Sequence, residues 1–338
     1  WRFDPDRDAL NYGLSDDQCT AAFPDLYHEL DRAREFYKLE KPIREQDVKI
    51  WREENKVSHG QVHALIHNGQ LIIVDEEKGQ ADRSRAMAAL ASIYRSLSAM
   101  PDPRLIPNIE FVIDIADVSE GGPKDRVRWS WCRRNSDQYP WVMPDFDGWS
   151  YPDNAVGSYT AFRENVHDIE IPWEHKYPQL VWRGSTGVAH ELRMSLLNAS
   201  ADMQWSDVKS INWMTRESVM PMHDFCKYQY VAHTEGESHA FPGRLRYLQN
   251  CDSVAVIHDL EYVAHYYPLL NPSGPHQNYV HVSRDFSDLS QQMQHYTTHP
   301  EEAQSIAAES VRTFRDRYLT PAAEACYWRR MFKTYAEV

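Results

Sequence analysis

No stretch of the chain approaches the roughly 20 consecutive apolar residues of a membrane-spanning helix, so no membrane contact is expected from the residues present. No Lys/Arg-rich tract occurs either, and 36 basic residues face 50 acidic ones for a net charge of −14. Nucleic acid is therefore not an expected partner, because duplex affinity comes from neutralising phosphates. The cysteines, Cys19, Cys132, Cys226, Cys251 and Cys326, include no C-x-x-C pair, which argues against a zinc site or a redox motif. Internal repeats and low-complexity segments are missing as well. The chain opens on Trp1 rather than Met, and the expectation is a trimmed N-terminus, with room for a lost signal or anchor.

What is present points to an α/β protein. At 338 residues the chain exceeds the usual single domain, and 42% hydrophobic residues can fill two cores flanking a cleft. Phe225 to Glu261 organises the rest. Tyr228 to Val231 reads as a strand, a polar loop with Gly236 and Gly243 follows, Leu245 and Leu248 share a helix face, and Ser253 to Ile257 is a second apolar run. Strand, loop, helix and strand make the βαβ unit of a parallel sheet, whose strand-end loops bind ligands. Arg244, near the helix start, can join backbone N–H groups on a phosphate, so an anionic ligand such as a nucleotide is expected. Cys226 and Cys251 flank the unit, where adjacent parallel strands bring them within bridging distance; buried free thiols are the other reading. Asn198-Ala199-Ser200 is a lone sequon.

Residues 1 to 58 look like a peripheral wrap with one helical face, Leu26, Leu30, Ala33 and Tyr37. Gln61 to Asp75 predicts a hairpin about Asn68-Gly69. Met87, Leu90, Ala91, Tyr94 and Leu97 lie at helical spacing between Asp82 and Met100. Asn108 to Asp117 is an apolar strand that releases two carboxylates, Asp114 and Asp117, at its far end. Trp129, Trp131, Trp141 and Trp149 then offer either sugar-stacking platforms or ordinary packing. Asp145-Phe146-Asp147 is formally a D-x-D metal pair, although Pro144 and Gly148 favour a turn. Tyr159 to Val166 is a helical piece and Ile171 to Glu174 a hinge. Leu180 to Trp182 is a strand running into Arg183-Gly184-Ser185-Thr186-Gly187 and a helix, a phosphate-cradling order that lacks the P-loop lysine. Arg193 lies inside that helix, and a solvated arginine is its plain reading. Tyr279 to Val282 is a further strand. Phe286 to His295, Pro300 to Tyr318 and Pro321 to Tyr335 read as helices, the last with Thr320 as N-cap.

Several segments, taken in order, resemble one family. VWRGSTG (181–187), FCKYQY (225–230), FPGRLRYLQNCDS (241–253), EYVAHYYPLL (261–270), YVHVSRDFSDL (279–289), EEAQSIA (301–307) and ACYW (325–328) are similar to glycosyltransferase family 90. That family holds fungal capsule-associated xylosyltransferases and Rumi-type protein O-glucosyltransferases. The similarity covers roughly residues 105 to 338, and DIADVSEGGP and MPDFDGW sit closer to the fungal branch.

The resemblance implies a GT-B fold, two Rossmann-like domains with parallel sheets facing a cleft. Residues 1–170, completed by 320–338, would form the acceptor side, and 171–319 would bind the donor. It implies inverting transfer of xylose or glucose from a UDP-sugar to a glycan or glycoprotein, no obligatory metal, and a secretory-pathway lumen. Asp117 takes the place of the catalytic base; Ala116 stands where the family has arginine, and Asp114 is a rival. The donor would meet Arg183, Gly184, Ser185, Thr186, Arg193, Ser238, His239, Phe241, Arg244 and Glu261. Cys226 with Cys251 and Cys19 with Cys326 correspond to disulfides, leaving Cys132 unpaired. A binding protein on the same fold without catalysis is the alternative.

Overall fold

The computed structural model describes residues 1–52, 60–77, 83–116, 126–151, 156–236 and 243–338. Two compact units emerge, the first comprising Trp1–Pro152, Glu261–Leu269 and Arg317–Val338, the second Asp153–Leu260 and Leu270–Asp316.

In the first unit, strands β1 (Gln61–His67) and β2 (Gln70–Glu77) form the expected hairpin. Asn68 and Gly69 both hold positive φ, 51° and 76°, as a two-residue turn of the I′ kind demands. Val62, Ala64 and Ile66 point inward and are buried. Strand β3 (Ile109–Asp114) runs antiparallel to β1, while β4 (Arg128–Ser130) and β5 (Pro140–Val142) continue parallel, in the order β2-β1-β3-β4-β5. An all-parallel sheet is therefore not what this unit has. The tight turn returns the chain without the long crossover a parallel pair requires, and the sheet is mixed.

Packing decides the tryptophans. Trp129, Trp131 and Trp141 are fully buried, and Trp129 stacks on Phe111 with ring centroids 3.9 Å apart. Trp149 alone of the four is exposed, with the Arg95 guanidinium 4.7 Å from its ring. The helix Arg83–Ser98 turns a partly different face inward than its apolar spacing predicts: Leu97 is buried as expected, but Met87 and Tyr94 are exposed, whereas Ala89, Ser92, Ile93 and Ser96 are buried. Two serines in that face let the helix Pro321–Tyr335 approach, and Ser92 both donates to Glu324 and accepts from Trp328 Nε1 at 3.0 Å. Nor are the first residues a peripheral wrap. Leu26, Leu30, Ala33 and Tyr37 are core, each worth about 1.5–3 kcal/mol where the side chain is large, and buried Glu29 accepts from Arg133 Nε at 2.7 Å. The disulfide Cys19–Cys326 joins residues 307 positions apart, and Cys132 is buried and in neither disulfide.

The second unit is a parallel sheet of β6 (Tyr177–Gly184), β7 (Ser206–Ser210), β8 (Tyr228–His233), β9 (Val254–His258) and β10 (Val280–Val282). Its order is β7-β6-β8-β9-β10, with every pairing parallel. Strand alternation sends Leu180, Trp182, Tyr230, Ala232, Val254 and Val256 into one core, closed by the helices His190–Ala199, Leu289–Thr298 and Pro300–Ser310. Val181, Val231, Ala255 and Ile257, on the other face, are buried too. Strands covered on both faces read as continuous apolar runs, which is why the sequence shows them so clearly. The predicted βαβ unit is β8, the short helix Arg244–Leu248 and β9, and the disulfide Cys226–Cys251 ties the approaches to its two strands.

Candidate functional site

Counted along the second unit alone, the sheet order is 2-1-3-4-5, a doubly wound arrangement whose chain direction switches between β6 and β8. Loops at the C-terminal ends of those two strands diverge there and leave a crevice for ligands. Strand β6 delivers Gly184 and then Ser185, Thr186 and Gly187; β8 delivers His233 and then Thr234, Glu235 and Gly236.

Two arginines hold the crossing. Arg193 bridges both loops, donating from Nη1 to the Ser185 carbonyl at 2.6 Å and from Nη2 to the Glu235 carbonyl at 3.3 Å, with its guanidinium 5.9 Å from the Trp182 ring. Arg244, at the start of the helix after the second loop, donates to the Arg183 carbonyl and lies 5.8 Å from the Phe225 ring. Two positive charges thus meet at one strand end, the setting in which phosphate oxygens are bound. Gly184 has no room for a side chain: an added Cβ would sit 2.4 Å from the Trp182 ring. That ring is itself fixed by a hydrogen bond from Nε1 to Thr234 Oγ1 at 3.1 Å.

Arg183 does different work. It is buried and donates to the Asp207 carboxylate at 2.7 Å, with the Tyr228 hydroxyl on the same oxygen at 2.6 Å. Burial alone would raise the Asp207 carboxyl, but hydrogen bonds from Lys209, Tyr228 and Arg183 hold it below its usual range. The carbonyl of Thr186 is engaged with the His190 ring at 3.0 Å.

The groups beneath the second loop carry no motif in the sequence. Glu235 is buried and paired with Arg284 at 2.7 Å, and Arg284 also donates to the Asp259 carbonyl at 2.9 Å. The Glu235 N–H donates to His258 Nε2 at 3.1 Å, which leaves Nδ1 to carry the ring proton toward the Asp259 carbonyl at 2.7 Å. Burial drives the His258 imidazole down to about 4. His233 is fully buried with neither ring nitrogen hydrogen-bonded among the described residues. Burial, with His258, Arg244 and Arg193 nearby, keeps it neutral, well below its usual range. The signal was the His-Thr-Glu run directly after an apolar strand, where polar side chains reach a crevice.

Asp117, Ser238, His239 and Phe241 lie outside the described residues. Asp114 is buried and paired with Arg126 at 2.6 Å. Asp145 caps a turn, accepting from the Gly148 N–H at 3.2 Å, as the flanking Pro and Gly favoured. Among the described residues no group of three or more His, Cys, Asp or Glu is placed to hold a metal ion. Glu261 belongs to the first unit, where its carbonyl accepts from the Asn135 N–H at 3.0 Å and its carboxylate is 3.7 Å from Arg134. Among the described residues no helix is long and apolar enough to cross a membrane.

Comparison with known proteins adds three findings. The model of the family described as glycosyl transferase family 90 matches residues 30–338. Protein O-glucosyltransferase 2 of Danio rerio is 29% identical over 300 residues, 83% of this chain and 56% of that protein. Protein O-glucosyltransferase 3 of Homo sapiens is 26% identical over 248 residues, 69% of this chain and 48% of that protein. The chain therefore spans about half the length of these relatives.

Proposed function

The chain belongs to glycosyl transferase family 90, and from that premise we propose that it moves glucose or xylose from a UDP-sugar to a hydroxyl of a glycan or glycoprotein, with inversion. Relatives named as protein O-glucosyltransferases favour glucose and a protein-borne acceptor. The observation that carries the donor half is the meeting of Arg193 and Arg244 on the carbonyls of Ser185 and Arg183 at the switch point of the second sheet. A diphosphate there is stabilised by both guanidiniums, with no divalent ion required. Gly184, Ser185 and Thr186 supply the backbone beside it, and Ser238, His239 and Phe241 are proposed as further nucleotide contacts. Arg183, through Asp207, acts by holding β6 in place.

Asp117 is the proposed base. The acceptor oxygen attacks the anomeric carbon, its proton passes to the Asp117 carboxylate, and the bond from that carbon to the β-phosphate oxygen breaks with its electron pair leaving on UDP. A GT-B fold and a secretory lumen belong to the same proposal; the two disulfides support the lumen. The test is UDP release from UDP-glucose or UDP-xylose with a glycoprotein acceptor, in EDTA. Turnover is expected for the native chain and lost in Asp117→Asn. Nucleotide binding without turnover on any acceptor would leave a non-catalytic binding protein, and activity that survives Asp117→Asn would remove that residue as base.

A further inference from the structure

We propose a pyranose-binding pocket in the second unit, formed where the chain leaves β7. Residues 211–218 fold back on themselves there: Asn212 and Glu217 form a bridge, and Asn212 Oδ1 accepts from the N–H groups of Met214 and Thr215 at 3.0 and 3.2 Å. Arg216 and Ser218 hold φ of 59° and 60°. Left-handed backbone is uncommon for residues with a side chain, so the loop keeps a shape that its local preferences oppose.

Beside it lies an open cleft of 790 Å³, lined among others by Ser185, Ser210, Asn212, Trp213, Glu217 and Ser218. That volume lies within the range of small-molecule sites. Trp213 remains 51% exposed although it is the largest apolar side chain there, and the Arg216 guanidinium lies 6.0 Å from its ring centroid. A pyranose ring has a face of C–H groups, which suits an indole plate, and a rim of hydroxyls, each both donor and acceptor. The Asn212 amide donates, the Glu217 carboxylate accepts, and the serine hydroxyls do either. Lys209, the cation in the lining, is already paired with Asp207 at 2.6 Å, and Glu217 repels anions. A neutral ring of hydroxyls is the class that fits.

Ser185 belongs both to this pocket and to the loop bonded by Arg193, so the ring lies next to the proposed diphosphate site. It is supplied either by the sugar nucleotide or by a separate glycan. Saturation-transfer NMR on the full chain separates these sources, with methyl glucopyranosides and xylopyranosides as probes and sorbitol as the acyclic control. Ring protons of the glycosides saturate, the chain protons of sorbitol do not, and the effect is lost in Trp213→Ala and retained in Trp213→Phe. Displacement by UDP-glucose but not by UDP assigns the ring to the donor; persistence alongside UDP-glucose assigns it to a glycan. Absence of saturation, or an equal effect in Trp213→Ala, overturns the pocket. UDP protons are read in the same samples and remain saturated in Trp213→Ala, so failure of the pocket and failure of the nucleotide reading give different spectra.

Discussion

Replacing Gly184 with Ala tests how tightly the site loop is seated. The new Cβ would lie 2.4, 2.8 and 3.0 Å from three carbons of the Trp182 indole, the first two closer than real Cβ atoms come. The indole is rigid and fully buried, and it is held by Thr234 at 3.1 Å. It cannot swing aside as a lysine end would. Either the ring shifts and breaks that hydrogen bond, or β6 moves and carries Ser185 with it. Overpacking costs about 1–3 kcal/mol, and a lost internal hydrogen bond adds about 1 kcal/mol. The expected loss is then about 2–4 kcal/mol, which for a unit of this size lowers the melting temperature by about 4–16 °C. Gly187→Ala is the internal control, since its Cβ would meet only the Ser185 hydroxyl, at 3.3 Å. Urea melts of both variants, with UDP titrations by calorimetry, give the answer. Equal stability of the two would refute the packing argument. Normal stability with lost UDP affinity would show that the backbone at Gly184 acts on the ligand directly.

Other perturbations reach different layers. Arg193→Ala and Arg244→Ala each remove charge-assisted bonds of about 1.5–3 kcal/mol, so UDP affinity measured by calorimetry should fall by about 10- to 150-fold; affinity unchanged in both would move the donor site elsewhere. Cutting Cys226–Cys251 with paired serines releases a loop spanning 25 positions, for which the chain-entropy relation gives about 3.5 kcal/mol, visible in the urea midpoint of the oxidised against the mutant protein. His258 makes stability depend on pH. Its imidazole falls from 6.5 unfolded to about 4 folded, so the unfolded chain holds more protons between those values. Stability is full above pH 6.5 and declines by about 3 kcal/mol as pH drops toward 4. His258→Gln should flatten that part of the profile, and an unchanged slope would assign it to other groups.

Much of the second unit was legible because its strands are buried on both faces. Tyr228 to Val231 and Ser253 to Ile257 announce themselves as apolar runs, and the helix between them needs only Leu245 and Leu248 to be seen. Asn68-Gly69 is as plain, since few other pairs adopt left-handed backbone twice in succession. The helix Arg83–Ser98 misleads for the opposite reason. Ser92 and Ser96 look solvent-facing until Glu324 and Trp328, more than 230 positions later, give Ser92 partners. Periodicity sees an element's own residues and not those it will pack against. Arginines show the same limit at the site. Arg183 and Arg193 look alike in sequence, yet strand alternation turns the first onto Asp207, whereas helix spacing brings the second back over the loop. His233 and Glu235 required knowing that their strand stands at the switch point.

The order in which the first unit is assembled has a consequence for biosynthesis. Its residues come from three stretches, with the whole second unit inserted between them. Cys19 must wait for a partner 307 positions downstream. At about 5–20 residues per second that delay is about 15–60 s, during which Cys132, Cys226 and Cys251 all emerge as competitors. Early closure of Cys226 with Cys251, only 25 positions apart, withdraws two of them and leaves buried Cys132 as the one wrong partner. The hypothesis is that the inserted unit folds first and guards the pairing of its host. In a series of ribosome-bound truncations, the Cys226–Cys251 bridge should form while Cys19 is still alkylated freely; Cys19 protected before Cys326 emerges would show the reverse order.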